Sequence, residues 1–315
     1  MQKLTQLSNL YFSLPTPTFK RYLYTQIDFK SKLIGILGQR GVGKTVLIEN
    51  SKVDLSRRAL FYKLHSLSFR EFIAIKYDIN LPVLKLDDIL TSHQDIASQI
   101  KKQFKPLEYF KYYQEFGAYP FFTEGELGYN LRLNEIMNII LDSEVATIYN
   151  VDSDKINTIR KLLHLLCASV PVELNIQNLA SQSEISRNTL YSYLYYLQKA
   201  NLIEIIGGNF KNKKLLNKPD KIYLENVNLY NILCSDKNIG SIRESFFISQ
   251  MKINHDIKYS KIGDFIVDDK FIFEVGGKNT GFNQIKDVPN SFVVSDDTEM
   301  GFGNKLPLWL FGFLY

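Results

Sequence analysis

The chain has 315 residues, 45% hydrophobic and 23% charged, which excludes a disordered or collagen-like polymer and predicts an α/β multidomain protein of about two or three domains. Its longest apolar runs, such as Leu308–Phe311, fall far short of the ~20 residues a membrane helix needs, and the mixed start Met1-Gln2-Lys3-Leu4-Thr5-Gln6 lacks a signal-peptide pattern. A cytoplasmic location with no membrane partner is therefore expected. A net charge of +5 permits an acidic or nucleic-acid partner without requiring one. The four scattered histidines offer no zinc-ligand spacing, and the two cysteines, Cys167 and Cys234, read as reduced thiols rather than a disulfide framework.

In chain order, Leu33-Ile34-Gly35-Ile36-Leu37 predicts a buried strand that runs into a glycine-rich turn and then a helix start at Val46-Leu47-Ile48. A second strand is expected at Ala59–Leu64, after which Ser68 and Glu71 form a capping box that opens a helix through Phe69 and Phe72. From Leu86 to about Val170 the apolar spacing is helical, as in Ile136, Ile139, Ile140 and in Ile159, Leu162, Leu163, Leu166. Two short helices follow, Ile176–Ala180 and Arg187–Ala200, then the β-rich run Leu202–Ile206 and Gly207-Gly208, an order that fits a winged helix-turn-helix. The last part predicts a helix around Ser241–Met251 and strands at Asp264–Val267, Phe271–Val275, Ser291–Val294 and Leu308–Phe313, a closing α/β domain.

The strongest motif is Gly38-Gln39-Arg40-Gly41-Val42-Gly43-Lys44-Thr45, which matches G-x-x-x-x-G-K-[ST] between a predicted strand and a predicted helix. That arrangement cradles ATP: backbone N–H groups close around the β-phosphate, Lys44 reaches the β and γ oxygens, and Thr45 offers its hydroxyl to Mg²⁺. Hydrolysis also needs an acidic residue at the end of a second buried strand. The nearest acids, Asp87-Asp88 and Asp152 or Asp154, lie in helical surroundings. Only one further strand is expected before the helical middle, whereas a doubly wound sheet usually has about five.

These residues resemble a family of prokaryotic AAA-type ATP-binding proteins, in which a P-loop module precedes a winged helix and a C-terminal domain of unassigned function with a nuclease-like fold. The resemblance spans nearly the whole chain. It is carried by Gly38–Thr45, by Asp54-Leu55-Ser56-Arg57-Arg58 leading to Leu64-His65-Ser66-Leu67-Ser68-Phe69-Arg70-Glu71-Phe72, by Gly117-Ala118-Tyr119-Pro120, and by Phe273-Glu274-Val275-Gly276-Gly277-Lys278. It implies a truncated P-loop module over residues 1–80, a helical lid over 81–170, a winged helix over 171–220 and a restriction-endonuclease-like domain over 221–315. In the family, further strands, an acidic Walker B end and a Ser-rich sensor strand stand between the loop helix and the Leu-Ser-Arg-Arg segment. Here Asn50 abuts Ser51 directly. The resemblance therefore implies ATP binding with impaired hydrolysis, and it places Arg57 and Arg58 near the end of the ATPase core. Arg57 is a candidate for the γ-phosphate, with a structural salt bridge as the alternative.

In the predicted winged helix, Arg187, Asn188, Tyr191 and Ser192 stand at the leading end of the second helix, where DNA bases or phosphates would be met. Lys211, Lys213, Lys214 and Lys218 would supply phosphate-positioning charge. A packing adaptor with solvated lysines explains the same pattern. In the last domain Asp264 and Glu274 fall on adjacent predicted strands, the way a nuclease-like fold gathers carboxylates for a metal, and Glu244 would complete the set. Gly276 occupies the place of the expected lysine, which leaves Lys278 as the candidate. The rival to an ATP-binding function is a nonenzymatic adaptor that binds DNA or a protein partner.

Overall fold

The computed structural model describes residues 19–29, 33–44, 59–168, 176–207 and 221–315. Leu33–Leu37 forms β1 and Ala59–Lys63 forms β2. They pair in parallel with Leu33 opposite Ala59 and Leu37 opposite Lys63, and among the described residues this sheet has two strands. Beyond β2 the chain turns into α1 (Phe69–Tyr77), and the capping box expected there is present: Glu71 N donates to Ser68 Oγ at 3.1 Å and Ser68 N donates to Glu71 Oε2 at 3.3 Å. The other oxygen of the Glu71 carboxylate anchors an N-terminal segment, accepting from Tyr22 N at 2.7 Å and from Arg21 Nε at 3.0 Å.

The helical middle comprises α2 (Leu86–Lys101), α3 (Pro106–Phe116), α4 (Tyr129–Ile139), α5 (Ala146–Tyr149) and α6 (Ser153–Ala168). Pro106 opens α3 where a missing N–H costs nothing. Between α4 and α5 the backbone widens into a π-helical stretch, Ile140–Val145. Phe69 and Phe72 of α1 meet Tyr113 of α3 edge-on, and Phe110 of α3 meets Phe246 of the later helix α10 in the same way. The aromatic spacing of α1 and α3 thus builds one core shared by the two ends of the chain.

Helices α7 (Ile176–Gln182) and α8 (Arg187–Lys199) come next, and α8 turns Leu190, Tyr193, Leu194 and Leu197 inward at helical spacing. Strands β3 (Ile203–Ile206) and β4 (Lys221–Leu224) pair antiparallel behind them, with Ile203 opposite Leu224. After α9 (Leu229–Leu233) and α10 (Ile239–Met251) comes a five-stranded sheet: β5 (Ile257–Tyr259), β6 (Phe265–Val267), β7 (Phe271–Gly276), β8 (Ser291–Ser295) and β9 (Lys305–Pro307), in that spatial order. β5, β6 and β7 are antiparallel neighbours, while β7, β8 and β9 run parallel. Among the described residues no helix is long and apolar enough to cross a membrane.

Two expectations need correction. Leu308–Phe313 is a 3₁₀ helix, not a strand. Its residues are buried throughout, packed against α1, α2, α3 and α10, and a short continuous apolar run does not reveal from spacing alone whether it is strand or helix. The cysteines are not separate thiols: Cys167 and Cys234 are joined in a disulfide with Cα atoms 5.6 Å apart. The packing of α6 against α9 brings together residues 67 positions apart, a proximity that no local pattern announces.

Candidate functional site

The glycine loop leaves the end of β1 and folds against the exit of β2, where Leu64 N donates to Leu37 O at 2.7 Å. A side chain at Gly38 would collide with the Leu64 carbonyl oxygen. Gly43 has φ +90°, a conformation that side-chain-bearing residues rarely adopt, and a Cβ there would stand 3.3 Å from Pro120 Cγ. The ammonium of Lys44 curls over the loop, donating to Gly38 O and, at 2.8 Å, to Gln39 O. Burial lowers the Lys44 pKa, while the nearby Glu144 charge pulls it up and Arg40 pulls it down.

Side chains from outside the loop hold this shape. Arg21 is buried and donates to Val42 O at 2.6 Å and His65 O at 2.8 Å while paired with Glu71. It ties the loop to the β2–α1 connection. Gln39 is buried and its Oε1 accepts from Tyr119 OH at 2.7 Å. Tyr119 in turn accepts from Asn226 Nδ2 at 2.8 Å, Asn226 donates to Glu225, and Glu225 is ion-paired with Lys252, which also binds Glu204 on β3. Burial drives the His65 ring down to about 3, so it is neutral beside these groups.

A cleft of about 640 Å³ opens beside the loop, lined by Arg40, Gly41, Gly43 and Lys44 on one side and by Phe121, Thr123, Glu124 and Glu144 on the other. It can admit an anionic group to the Lys44 ammonium. The acids considered for magnesium and water stand elsewhere: Asp87 and Asp88 begin α2, where Asp88 accepts from Lys85 N, and Asp152 pairs with Lys155 ahead of α6. Thr45, Arg57 and Arg58 lie outside the described residues.

The second constellation sits where α10, β6 and β7 meet β4. Asp264, just ahead of β6, accepts from Val275 N at 2.9 Å, and Glu244 of α10 accepts from Tyr223 OH. Lys221, the first residue of β4, bridges them at 3.0 Å from Glu244 and 2.9 Å from Asp264. Glu274 accepts from Gln284 Nε2 at 3.0 Å, and its other oxygen has no partner among the described residues. Burial and the Asp264 charge raise Glu274 to about 7, and the same two causes raise Glu244. Burial lowers Lys221, but the Glu244 and Asp264 charges outweigh it and hold the lysine above its ordinary value.

Spacing thus identified three carboxylates that the fold brings together and missed the lysine. Lys278 lies in the exposed loop after β7, where its carbonyl oxygen accepts from Lys305, while Lys221 arrives from another strand. Nothing near Gly276 or Lys278 in sequence marks Lys221 as the cation that joins these carboxylates. With Lys221 between Glu244 and Asp264, no group of three His, Cys, Asp or Glu among the described residues is placed to hold a metal ion.

Of the nucleic-acid candidates, Arg187 and Asn188 are exposed at the start of α8, which Ser186 caps by accepting from Thr189 N at 3.1 Å. Tyr191 and Ser192 are half-buried, and Ser192 Oγ donates to Asn188 O. Lys211, Lys213, Lys214 and Lys218 lie outside the described residues.

Residues 107–239 match a family model described as a domain of unknown function (DUF8612), a span that runs from α3 past α9 and excludes the glycine loop. Over 184 residues, 57% of this chain, the sequence is 26% identical to "Uncharacterized protein MJ1637" of Methanocaldococcus jannaschii. The match spans 39% of that relative's length. No solved structure matches the chain.

Proposed function

We propose that this protein binds the triphosphate of ATP, together with Mg²⁺, through Gly38–Thr45 and hydrolyses it little or not at all. The observation that carries this is the loop itself: a turn leaving β1 with Gly43 at positive φ and the Lys44 ammonium resting on the loop's own carbonyl oxygens, beside an open cleft. An arriving phosphate offers that ammonium a stronger acceptor than a neutral carbonyl. Poor turnover follows from the two-stranded sheet, which among the described residues ends in no carboxylate able to position Mg²⁺ and water.

In the same reading β1 and β2 are the remainder of an AAA-type sheet, α7 through β4 a winged helix, and β5 through β9 with α10 a nuclease-like domain. Two short helices followed by an antiparallel strand pair support the winged helix, and the mixed five-stranded sheet with α10 supports the last domain. The carboxylate cluster closed by Lys221 then acts as a clasp between the wing and the last domain. The test is phosphate release at saturating Mg-ATP alongside retention of labelled nucleotide on a filter. We expect retention with release at background; sustained release lost in Lys44→Ala would overturn the hydrolysis half of the proposal.

A further inference from the structure

The cleft carries its own anion. Glu144, in the π-helical stretch Ile140–Val145, lines the wall opposite the loop, and its Oε1 accepts from the Arg40 guanidinium at 3.3 Å. Its charge also acts on Lys44. We propose that Glu144 is a resident counter-anion that neutralises the loop's two cations in the empty protein, and that a polyphosphate must displace it to bind. This rests on the phosphate-binding role assigned to the loop.

Three features favour displacement over support of the ligand. Arg40 and Glu144 are both about half exposed, so their attachment is weak and exchangeable. A triphosphate brings several negative charges into the same cleft, so Glu144 competes for the same guanidinium and repels the newcomer. Finally, π-helical turns are rare and occur frequently at functional sites, and this one carries the competing carboxylate. The other acid on that wall, Glu124, is bound to Arg132 and is not an Arg40 partner. It serves as the internal control.

Sodium tripolyphosphate without metal, and Mg-ATP, are titrated calorimetrically into the wild type, Glu144→Gln, Glu124→Gln and Lys44→Ala at one fixed low ionic strength. Tripolyphosphate should bind Glu144→Gln about tenfold more tightly than the wild type, the scale of one charge removed at a partly screened surface. Mg-ATP should also bind it more tightly, and Glu124→Gln, which removes a charge from the cleft without freeing a cation of the loop, should gain clearly less. A flat wild-type titration with clear binding by Glu144→Gln would support displacement equally. Binding by the wild type with no gain in Glu144→Gln overturns displacement and leaves the loop's role intact. Weaker Mg-ATP binding by Glu144→Gln also overturns it, because the carboxylate would then serve the metal. If wild type, Glu144→Gln and Lys44→Ala are all flat, the phosphate-binding role fails and displacement fails with it.

Discussion

Among the described residues the sheet beside the glycine loop has two strands and leaves Leu37, Leu60 and Phe61 at 54%, 43% and 67% exposure. The five-stranded sheet buries Phe265, Val267, Phe273 and Val294 completely beneath α10 and the final 3₁₀ helix, with Phe247 packing on Phe265, Phe273 and Phe311. One is finished by apolar packing; the other is held by polar ties from outside, through Arg21 and Tyr119. The contrast shows how a glycine loop can keep its shape with little described sheet behind it. Four hydrogen bonds from Arg21, to Val42, His65, Ser66 and Glu71, tie the loop to the connection between β2 and α1. In the proposed ATP-binding reading, water activation has no such substitute, because it needs a carboxylate delivered by a strand.

The largest effect should come from the finished side. Phe247→Ala empties a fully buried aromatic site and should lower unfolding free energy by about 3–5 kcal/mol, measured by urea denaturation. On the polar side Arg21→Ala strands the fully buried Glu71 carboxylate and should cost about 3 kcal/mol. It should also weaken nucleotide binding, since Val42 loses its tie. Were Arg21→Ala to leave both stability and binding unchanged, the loop would be holding itself and the contrast would fail.

Local chemistry explains which parts were legible in the sequence. β1, the glycine loop, the Ser68–Glu71 capping box and the inward face of α8 are each written within a few consecutive residues, where strand, turn and helix periodicity operate. The unread parts are long-range. Lys221 reaches Glu244 and Asp264 across 23 and 43 positions, and Cys167 meets Cys234 across 67. Glu144 faces Arg40 across 104 positions, so nothing near either residue marks the pair. Leu308–Phe313 misled for another reason: complete burial removes the alternation that separates strand from helix.

A smaller effect is expected in the pH dependence of stability. Glu274 is raised from its ordinary 4.5 to about 7 among Asp264, Lys221 and Glu244, so between those values the folded state holds a proton that the unfolded chain releases. The Glu274 contribution to stability should therefore fall as pH rises from about 4.5 to about 7, while His65, which burial keeps neutral in the folded state, contributes the opposite slope up to its ordinary 6.5. Glu274→Gln should shift the slope across this window toward stability rising with pH, although Glu244, raised too, still opposes that rise. A slope unchanged in Glu274→Gln, read from urea midpoints across the window, would assign it to other groups. The smallest effect belongs to the unfinished sheet, where Leu37→Thr keeps a strand-forming residue at an exposed site and should change stability by no more than about 0.5 kcal/mol. A large loss would mean that something covers this face.

The phosphate-binding role is tested most directly by calorimetric titration of Mg-ATP into the wild type and Lys44→Ala under identical conditions. We expect saturable, weak binding by the wild type and none by Lys44→Ala, whose loop keeps its glycines but lacks the ammonium that would meet the β and γ oxygens. Equal binding by the two proteins, or flat titrations for both that Glu144→Gln does not rescue, would contradict a nucleotide site at Gly38–Thr45.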